Sequence, residues 1–352
     1  MPSLFGIKYS NRDFSLRDTW GKNQFNSTFP VALVAYLESL GLESVYLTLD
    51  NNKQLKHDHI TAKKLFGLNY DSDELFYDFE GIFSPYECLV KGNLPRIDLV
   101  VQNLKSGICL KGIEIKLTAL PDSSTFDLMD DKFGTEIVVR RDTIVYLACG
   151  IALLYKDNLN ELRNILGNQC DSITDWTNAE NVLPFIPDMI QNIDRIMMEN
   201  LDKQEPLVLQ PVWKTEGKSP RLAQYCLDVF VWSNFAFTEL FMRYERQQSV
   251  FNSMTRQIRT IIWLYKMLLD FSLTGQFNHQ RISDKLSYNT KNDKAFAISG
   301  IRSHQFMACS ELSKPRISKD DIKNIILDGG QHYLSPERRF DAIIFNSPDL
   351  FD

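Results

Sequence analysis

A carboxylate set into an apolar strand constrains this chain more than any other feature. Pro95-Arg96-Ile97-Asp98-Leu99-Val100-Val101 and Ile113-Glu114-Ile115-Lys116-Leu117 read as two strands, with a turn over Leu104 to Gly107 between them. Side chains alternate along a strand, so Glu114 and Lys116 share a face, and a hairpin brings that face beside Asp98. Charge inside apolar strands is costly unless something compensates it. Two carboxylates and an ammonium suit a divalent metal that activates water against a phosphodiester, the lysine standing near the nucleophile or the phosphate. The alternative is a plain hairpin with a polar solvent face, and the apolar flanks count against it. Glu87, on a helix expected just before the first strand, is a further ligand or base candidate. Glu80 competes for that role, and an exposed helix carboxylate is the other reading of either residue.

With 352 residues, 44% of them apolar, the chain can bury a large core in one elaborated domain or in two that share an interface. No uninterrupted apolar run is long enough to span a bilayer, and the first residues lack a basic segment followed by an apolar one, so a cytoplasmic protein is expected. Cys88, Cys109, Cys149, Cys170, Cys226 and Cys309 are scattered without a Cys-x-x-Cys pair, which favours reduced, mostly buried thiols. A formal net charge of -6 argues against indiscriminate nucleic-acid binding while leaving room for a local basic cleft.

The segment from Tyr9 to Thr28 is polar and reads as a loop or arm, with a helix starting at Pro30 and ended by Gly41. Val45 to Leu49 is an expected strand closed by Asp50-Asn51-Asn52. Thr61 to Val90 reads as helical pieces broken at Gly67 and Pro85. After the hairpin, Glu136 to Arg140 reads as a strand and Thr143 to Tyr155 as a buried helix. Together these predict an α/β core with a mixed sheet. The second half reads as mainly helical at Leu162–Leu166, Met189–Leu201, Arg221–Gln247 and Thr255–Leu273, with Val229, Phe230, Trp232 and Phe237 as core aromatics and neighbours on a helical stripe. Pro206 to Pro220 reads as a connection, extended at Leu207 to Leu209. A division follows into a core at residues 1–160 and a mainly helical region at 161–352, which one continuous domain could also contain.

Other constellations carry less. His57-Asp58-His59 invites a metal reading but sits among lysines and reads as a polar surface turn. Gly329-Gly330 lacks the lysine and hydroxyl of a phosphate-binding loop, and Gly107 and Gly112 read as hairpin punctuation. The tail is expected to form a strand at Phe340–Phe345. Arg302, His304, Lys314, Arg316, Arg338 and Arg339 form either a nucleic-acid surface or scattered solvated charge.

Trp20-Gly21-Lys22-Asn23-Gln24-Phe25-Asn26-Ser27, Phe29-Pro30, Ile97-Asp98-Leu99-Val100 and Gly112-Ile113-Glu114-Ile115-Lys116-Leu117-Thr118-Ala119-Leu120-Pro121-Asp122 together resemble the HindVP-like type II restriction endonucleases. The likeness runs from near the N-terminus through Glu136–Arg140 and Ala148-Cys149; the helical half shares only general character. The resemblance implies a PD-(D/E)xK restriction-endonuclease-like core, Mg2+ dependence, a homodimer and cleavage of double-stranded DNA at a short palindrome of the degenerate GRCGYC kind. A DNA methyltransferase is implied as a functional companion. Asp98 matches the motif's metal-binding Asp, Glu114 its second acidic ligand and Lys116 its lysine. Pro95 stands three residues before Asp98, so the literal Pro-Asp pair is absent.

Lys22, Asn23, Gln24 and Asn26 suit contacts to phosphates or adenine, with turn or capping roles as the alternative for the asparagines. Arg140 and Arg141 suit guanine edges or phosphates, or form an ordinary strand end. The expected activity is thus Mg2+-dependent, site-specific cleavage. The competing readings are a DNA-binding or repair module without cleavage, and a helical protein-interaction scaffold.

Overall fold

Alternating and continuous apolar runs build the sheet, and near all-round apolar helices cover one of its faces. The computed structural model describes residues 9–12, 22–67, 74–116, 137–215, 222–248, 250–288, 294–298 and 314–321. In chain order the elements are α1 (Lys22–Ser39), β1 (Ser44–Leu49), β2 (Leu55–Ile60), α2 (Ala62–Phe66), β3 (Leu75–Gly81), β4 (Ile97–Asn103), β5 (Cys109–Ile115), β6 (Ile137–Arg140), α3 (Arg141–Leu154) and α4 (Leu159–Leu166). There follow α5 (Ala179–Val182), α6 (Ile186–Glu199), β7 (Pro206–Thr215), β8 (Leu222–Ser233), α7 (Asn234–Arg246), α8 (Arg256–Thr274), α9 (His279–Lys285), β9 (Lys294–Ile298) and β10 (Ile317–Ser318).

The main sheet runs β2-β1-β8-β7-β5-β4-β3, with β10 added alongside β8. It is mixed: β1/β8 and β5/β7 are parallel, and the other neighbours are antiparallel. Two apolar clusters lie on its faces. Val31, Leu33, Val34 and Leu37 of α1 and Leu65 and Phe66 of α2 pack with Leu99, Val101, Ile113 and Ile115. The larger cluster joins Val100, Val208 and Trp232 to α3, α4, α6, α7 and α8. The protein is therefore a three-layer α/β fold, and the expected α/β core with a mixed sheet is what is observed. At the centre of the thick layer α8 is buried along most of its circumference. It is capped by the Thr255 hydroxyl, which accepts from the Ile258 N–H, and closed by Gly275 at φ 73.

Several local readings change. Of the expected arm, Lys22 to Thr28 is helical, for α1 begins at Lys22 and carries Pro30 in its interior, while residues 13–21 lie outside the described residues. Proline there gives up the bond to the Asn26 carbonyl, and burial of Val31, Leu33, Val34 and Leu37 against the sheet offsets the loss. His57, Asp58 and His59 lie on edge strand β2. Residues 75–81 form strand β3, whose Leu75, Tyr77 and Phe79 alternate inward, so Glu80 stands on a strand; Glu87 lies in a 3-10 turn, Ser84–Leu89. Arg221–Gln247 divides into a strand and a helix at Ser233, and Leu222–Ser233 fills the sheet centre as β8. Pro206–Thr215 is its neighbour β7. Strand β6 pairs with β9 in a separate two-stranded sheet. Cys88 is exposed, whereas Cys149, Cys170 and Cys226 are buried free thiols.

Trp20-Gly21, Leu117–Asp122, Glu136, Arg302, His304, Cys309, Gly329-Gly330, Arg338, Arg339 and Phe340–Phe345 lie outside the described residues.

Candidate active site

The hairpin that carries the site is closed by chemistry local to its turn. The Asn103 side-chain oxygen accepts from the N–H groups of Lys105 and Ser106 and from the Ser106 hydroxyl, and Gly107 adopts the left-handed φ of 68° that the turn requires. Pairing of Leu99 with Ile113 and of Val100 with Gly112 sets the register, which places Asp98 across from Glu114 on the same face. Gly112 is not turn punctuation: it sits in mid-strand, where a Cβ would stand 3.1 Å from the Phe83 ring.

Around these residues the geometry is specific. Glu114 is buried, and its Oε1 accepts from the Thr143 hydroxyl of α3 at 3.0 Å and pairs with Nζ of Lys116. Asp98 Oδ2 accepts from the Ile115 N–H at 2.7 Å. Desolvation first, and then the negative charge of Glu114, raise Asp98 to about 7; Lys116 and the Ile115 N–H oppose that rise. The β3/β4 register pairs Phe79 with Leu99 and Gly81 with Ile97, which sets Glu80 across from Asp98 on its other side. Glu80 has a positive φ of 57° and lies 3.7 Å from Arg12, and its charge also contributes to raising Asp98.

The sequence-predicted residues thus separate into those brought together and those kept apart. Asp98, Glu114 and Lys116 converge. Glu87 is exposed on its 3-10 turn and stands outside the row of paired strands. Arg140 ends β6 exposed, while Arg141 opens α3 and turns to α9, donating to the Ser283 hydroxyl at 3.1 Å and standing 3.8 Å from Asp284. Lys22, Asn23, Gln24 and Asn26 occupy the first turns of α1. Arg316, which the sequence leaves between a basic surface and scattered solvated charge, is engaged in a two-pronged bond to buried Asp228 at 2.8 Å on each side. The sequence reading missed Thr143 as a partner of Glu114, and no spacing motif would have marked it.

Among the described residues no three His, Cys, Asp or Glu side chains are gathered closely enough to cage a metal by themselves. The chemistry of the donor set still fits one. Asp98 and Glu114 are hard oxygen donors on adjacent strands, and the burial and the Glu114 charge that push the Asp98 carboxyl up to about 7 are costs that a bound cation would offset.

An α/β sheet bearing paired carboxylates and a lysine on one face is consistent with the comparisons to known proteins. Residues 20–351 match the family described as HindVP restriction endonuclease. The chain is 43% identical over 351 residues to the type II restriction enzyme HgiDI of Herpetosiphon aurantiacus, covering 100% of this chain and 97% of that one. It is 46% identical over 350 residues to the probable type II restriction enzyme HindVP of Haemophilus influenzae, covering 99% and 95%. No solved structure gives a significant match. The chain belongs to the HindVP restriction endonuclease family, and it is an enzyme of the type II restriction class. Among the described residues no helix is long and apolar enough to cross a membrane.

Proposed function

We propose that this chain is a cytoplasmic, site-specific endonuclease that hydrolyses double-stranded DNA at a short palindrome, of the GRCGYC kind by family likeness, with Mg2+ as its cofactor. The observation that carries this reading is the cross-strand placement of Asp98 and Glu114, with Lys116 on the same face. Asp98 and Glu114 would hold the metal. When bound, the cation would lower the pKa of a water and offset charge on the phosphate. Lys116, tied to Glu114, adds positive charge on the side where the phosphate gains negative charge. Hydrolysis adds the water's hydroxyl to phosphorus and its proton to the leaving O3′, giving a 5′-phosphate and a 3′-hydroxyl. Of the two further carboxylates, we assign a supporting role to Glu80, because register sets it beside Asp98, over the exposed Glu87.

Recognition is assigned to the start of α1, through Lys22, Asn23, Gln24 and Asn26, and to Arg140 and Arg141 at the entrance to α3. The helices of residues 161–352 supply further recognition and the interface of a homodimer, whose two-fold axis would match that of a palindrome. A methyltransferase is the expected companion, since the host's own sites need protection.

The test is direct. Purified protein is incubated with unmethylated plasmid or phage DNA and Mg2+, and the ends are mapped by run-off sequencing. Discrete fragments with one repeated end sequence are expected. Retention of DNA without cutting in any divalent metal would leave a binding module instead, and no retention at physiological salt would leave a protein-interaction scaffold.

A further inference from the structure

We propose that Thr143 is the positioning residue of this site: its hydroxyl, donated to Oε1 of Glu114, fixes how the Glu114 carboxylate is presented beside Asp98 and thereby sets the affinity for a divalent cation. The inference rests on the metal-site reading above and adds to it a residue with no role in that reading.

Three observations carry it. First, Thr143 is fully buried and its hydroxyl lies 3.0 Å from Glu114 Oε1. A helical threonine ordinarily returns its hydroxyl to the carbonyl four residues back. Here that residue, Val139, still belongs to strand β6, so the hydroxyl of the first helical turn is directed to the sheet instead. Second, among the described residues both hydrogen bonds to the Glu114 carboxylate, from Thr143 and from Lys116, end on Oε1. Among the described residues, that leaves Oε2 as the Glu114 oxygen turned to a cation.

Third, the same helix fixes the other strand of the pair. One turn beyond Thr143, the Tyr146 hydroxyl donates to the Pro95 carbonyl at 2.9 Å, just ahead of Asp98, and accepts from the Phe83 N–H. Helix α3 thus holds the approach to Asp98 with one buried hydroxyl and Glu114 with the next. Partners that orient a metal ligand in this way are typically worth about 10- to 100-fold in metal affinity.

Mn2+ alone is titrated calorimetrically into the full-length protein in four forms: parent, Thr143→Val, Thr143→Ser and Asp98→Asn. Loss of Mn2+ binding in Asp98→Asn establishes the site itself, and unchanged binding there would overturn the metal-site reading whatever Thr143 does. With the site established, Thr143→Val should weaken Mn2+ binding about tenfold or more, and Thr143→Ser should restore it to within about threefold.

Cleavage should separate in the same way. Thr143→Val should need about tenfold more Mg2+ for half-maximal rate, and saturating Mg2+ should return most of that rate. Valine closely matches threonine in shape, and thermal melting checks the fold. If Thr143→Val melts early, Thr143→Ala is titrated in its place with the same expectation. Parental Mn2+ affinity in the folded variant, or equal loss in Thr143→Ser, would overturn the proposal.

Discussion

Two buried charge clusters in this protein are built to opposite ends. In one, Asp194 and Glu239 meet Arg246 and Lys53. Arg246 forks between both carboxylates at 2.6–3.0 Å, and Lys53 reaches Asp194 at 2.5 Å. Two negative groups are thereby answered by two positive ones, a closed set that joins α6, α7 and the turn after β1. In the other, Lys116 pairs with Glu114, and among the described residues Asp98 accepts one hydrogen bond, from a backbone N–H. Burial raises the pKa in both places, of Glu239 and of Asp98, but at Glu239 the bonds from Arg246 are the leading opposing influence, while at Asp98 the neighbouring Glu114 adds to the rise. A structural network closes its charge inside the chain. A site prepared for a cation leaves part of it open.

The sharpest way to break this contrast is to remove one charge from each cluster. Asp98→Asn should cut the cleavage rate by about a thousandfold or more and leave the melting temperature equal to or above that of the parent, because it removes a carboxylate that burial and the charge of Glu114 disfavour. Arg246→Met should do the reverse. It strands Glu239 in a poorly solvated place, leaves Asp194 to Lys53, and should cost about 3–5 kcal/mol of stability, read by urea unfolding, with the cleavage chemistry of the surviving folded fraction unchanged. Loss of stability in Asp98→Asn comparable to that in Arg246→Met would mean that both clusters are structural.

Dependence on pH sharpens the contrast further. Burial and the charge of Glu114 push the Asp98 carboxyl of the folded, metal-free protein up to about 7 from an ordinary 3.8, so between those values the folded state holds a proton that the unfolded state has lost. Stability contributed at this residue therefore falls as pH rises from about 4 to about 7 and stays low above that. Mg2+ should reverse the trend by favouring the carboxylate. Melting temperatures across that range, with Mg2+ and with chelator, should diverge as pH rises, and Asp98→Asn should abolish the divergence. Curves that remain parallel would show that Asp98 meets no cation.

The same contrast explains what was readable in the sequence. Asp98, Glu114 and Lys116 lie within one hairpin, where period-two alternation, the Asn103 cap and Gly107 set the register from residues close in the chain. The remaining strands depend on partners far away. Strand β8 pairs with β1 and β7, and its buried run from Cys226 to Trp232 lacks the alternation of a half-exposed strand. Only the Ser233 cap, whose hydroxyl accepts from the Ala236 N–H, separates it from α7, so an aromatic helix was the natural reading. Strand β7 carries Pro206 and Pro211, which argue against an interior strand. Among the described residues its pairs with β5 stop at Leu209, and Pro211 there pairs with β8 alone. Helix α1 inverted the usual sense of proline, and Thr143 reached Glu114 only through packing of a helix on a sheet.

The smallest expected effect concerns the two remaining carboxylates, and it tests whether strand register or nearness in sequence decides membership of the site. Glu87 stands close to Asp98 along the chain, yet it is exposed on its 3-10 turn; Glu80 is further away in sequence, yet it stands across the β3/β4 pair from Asp98. Glu80→Gln removes a negative charge that helps to raise Asp98 and frees Arg12 from its 3.7 Å partner. It should lower the apparent pKa of the pH–rate profile and change the Mg2+ concentration for half-maximal cleavage by a few-fold. Glu87→Gln, at an exposed position, should leave both within about twofold, equivalent to roughly 0.5 kcal/mol. The reverse ranking in parallel Mg2+ titrations would move the third carboxylate off the sheet and onto the turn. The open charge of the site would then extend toward the exposed turn rather than along the row of paired strands.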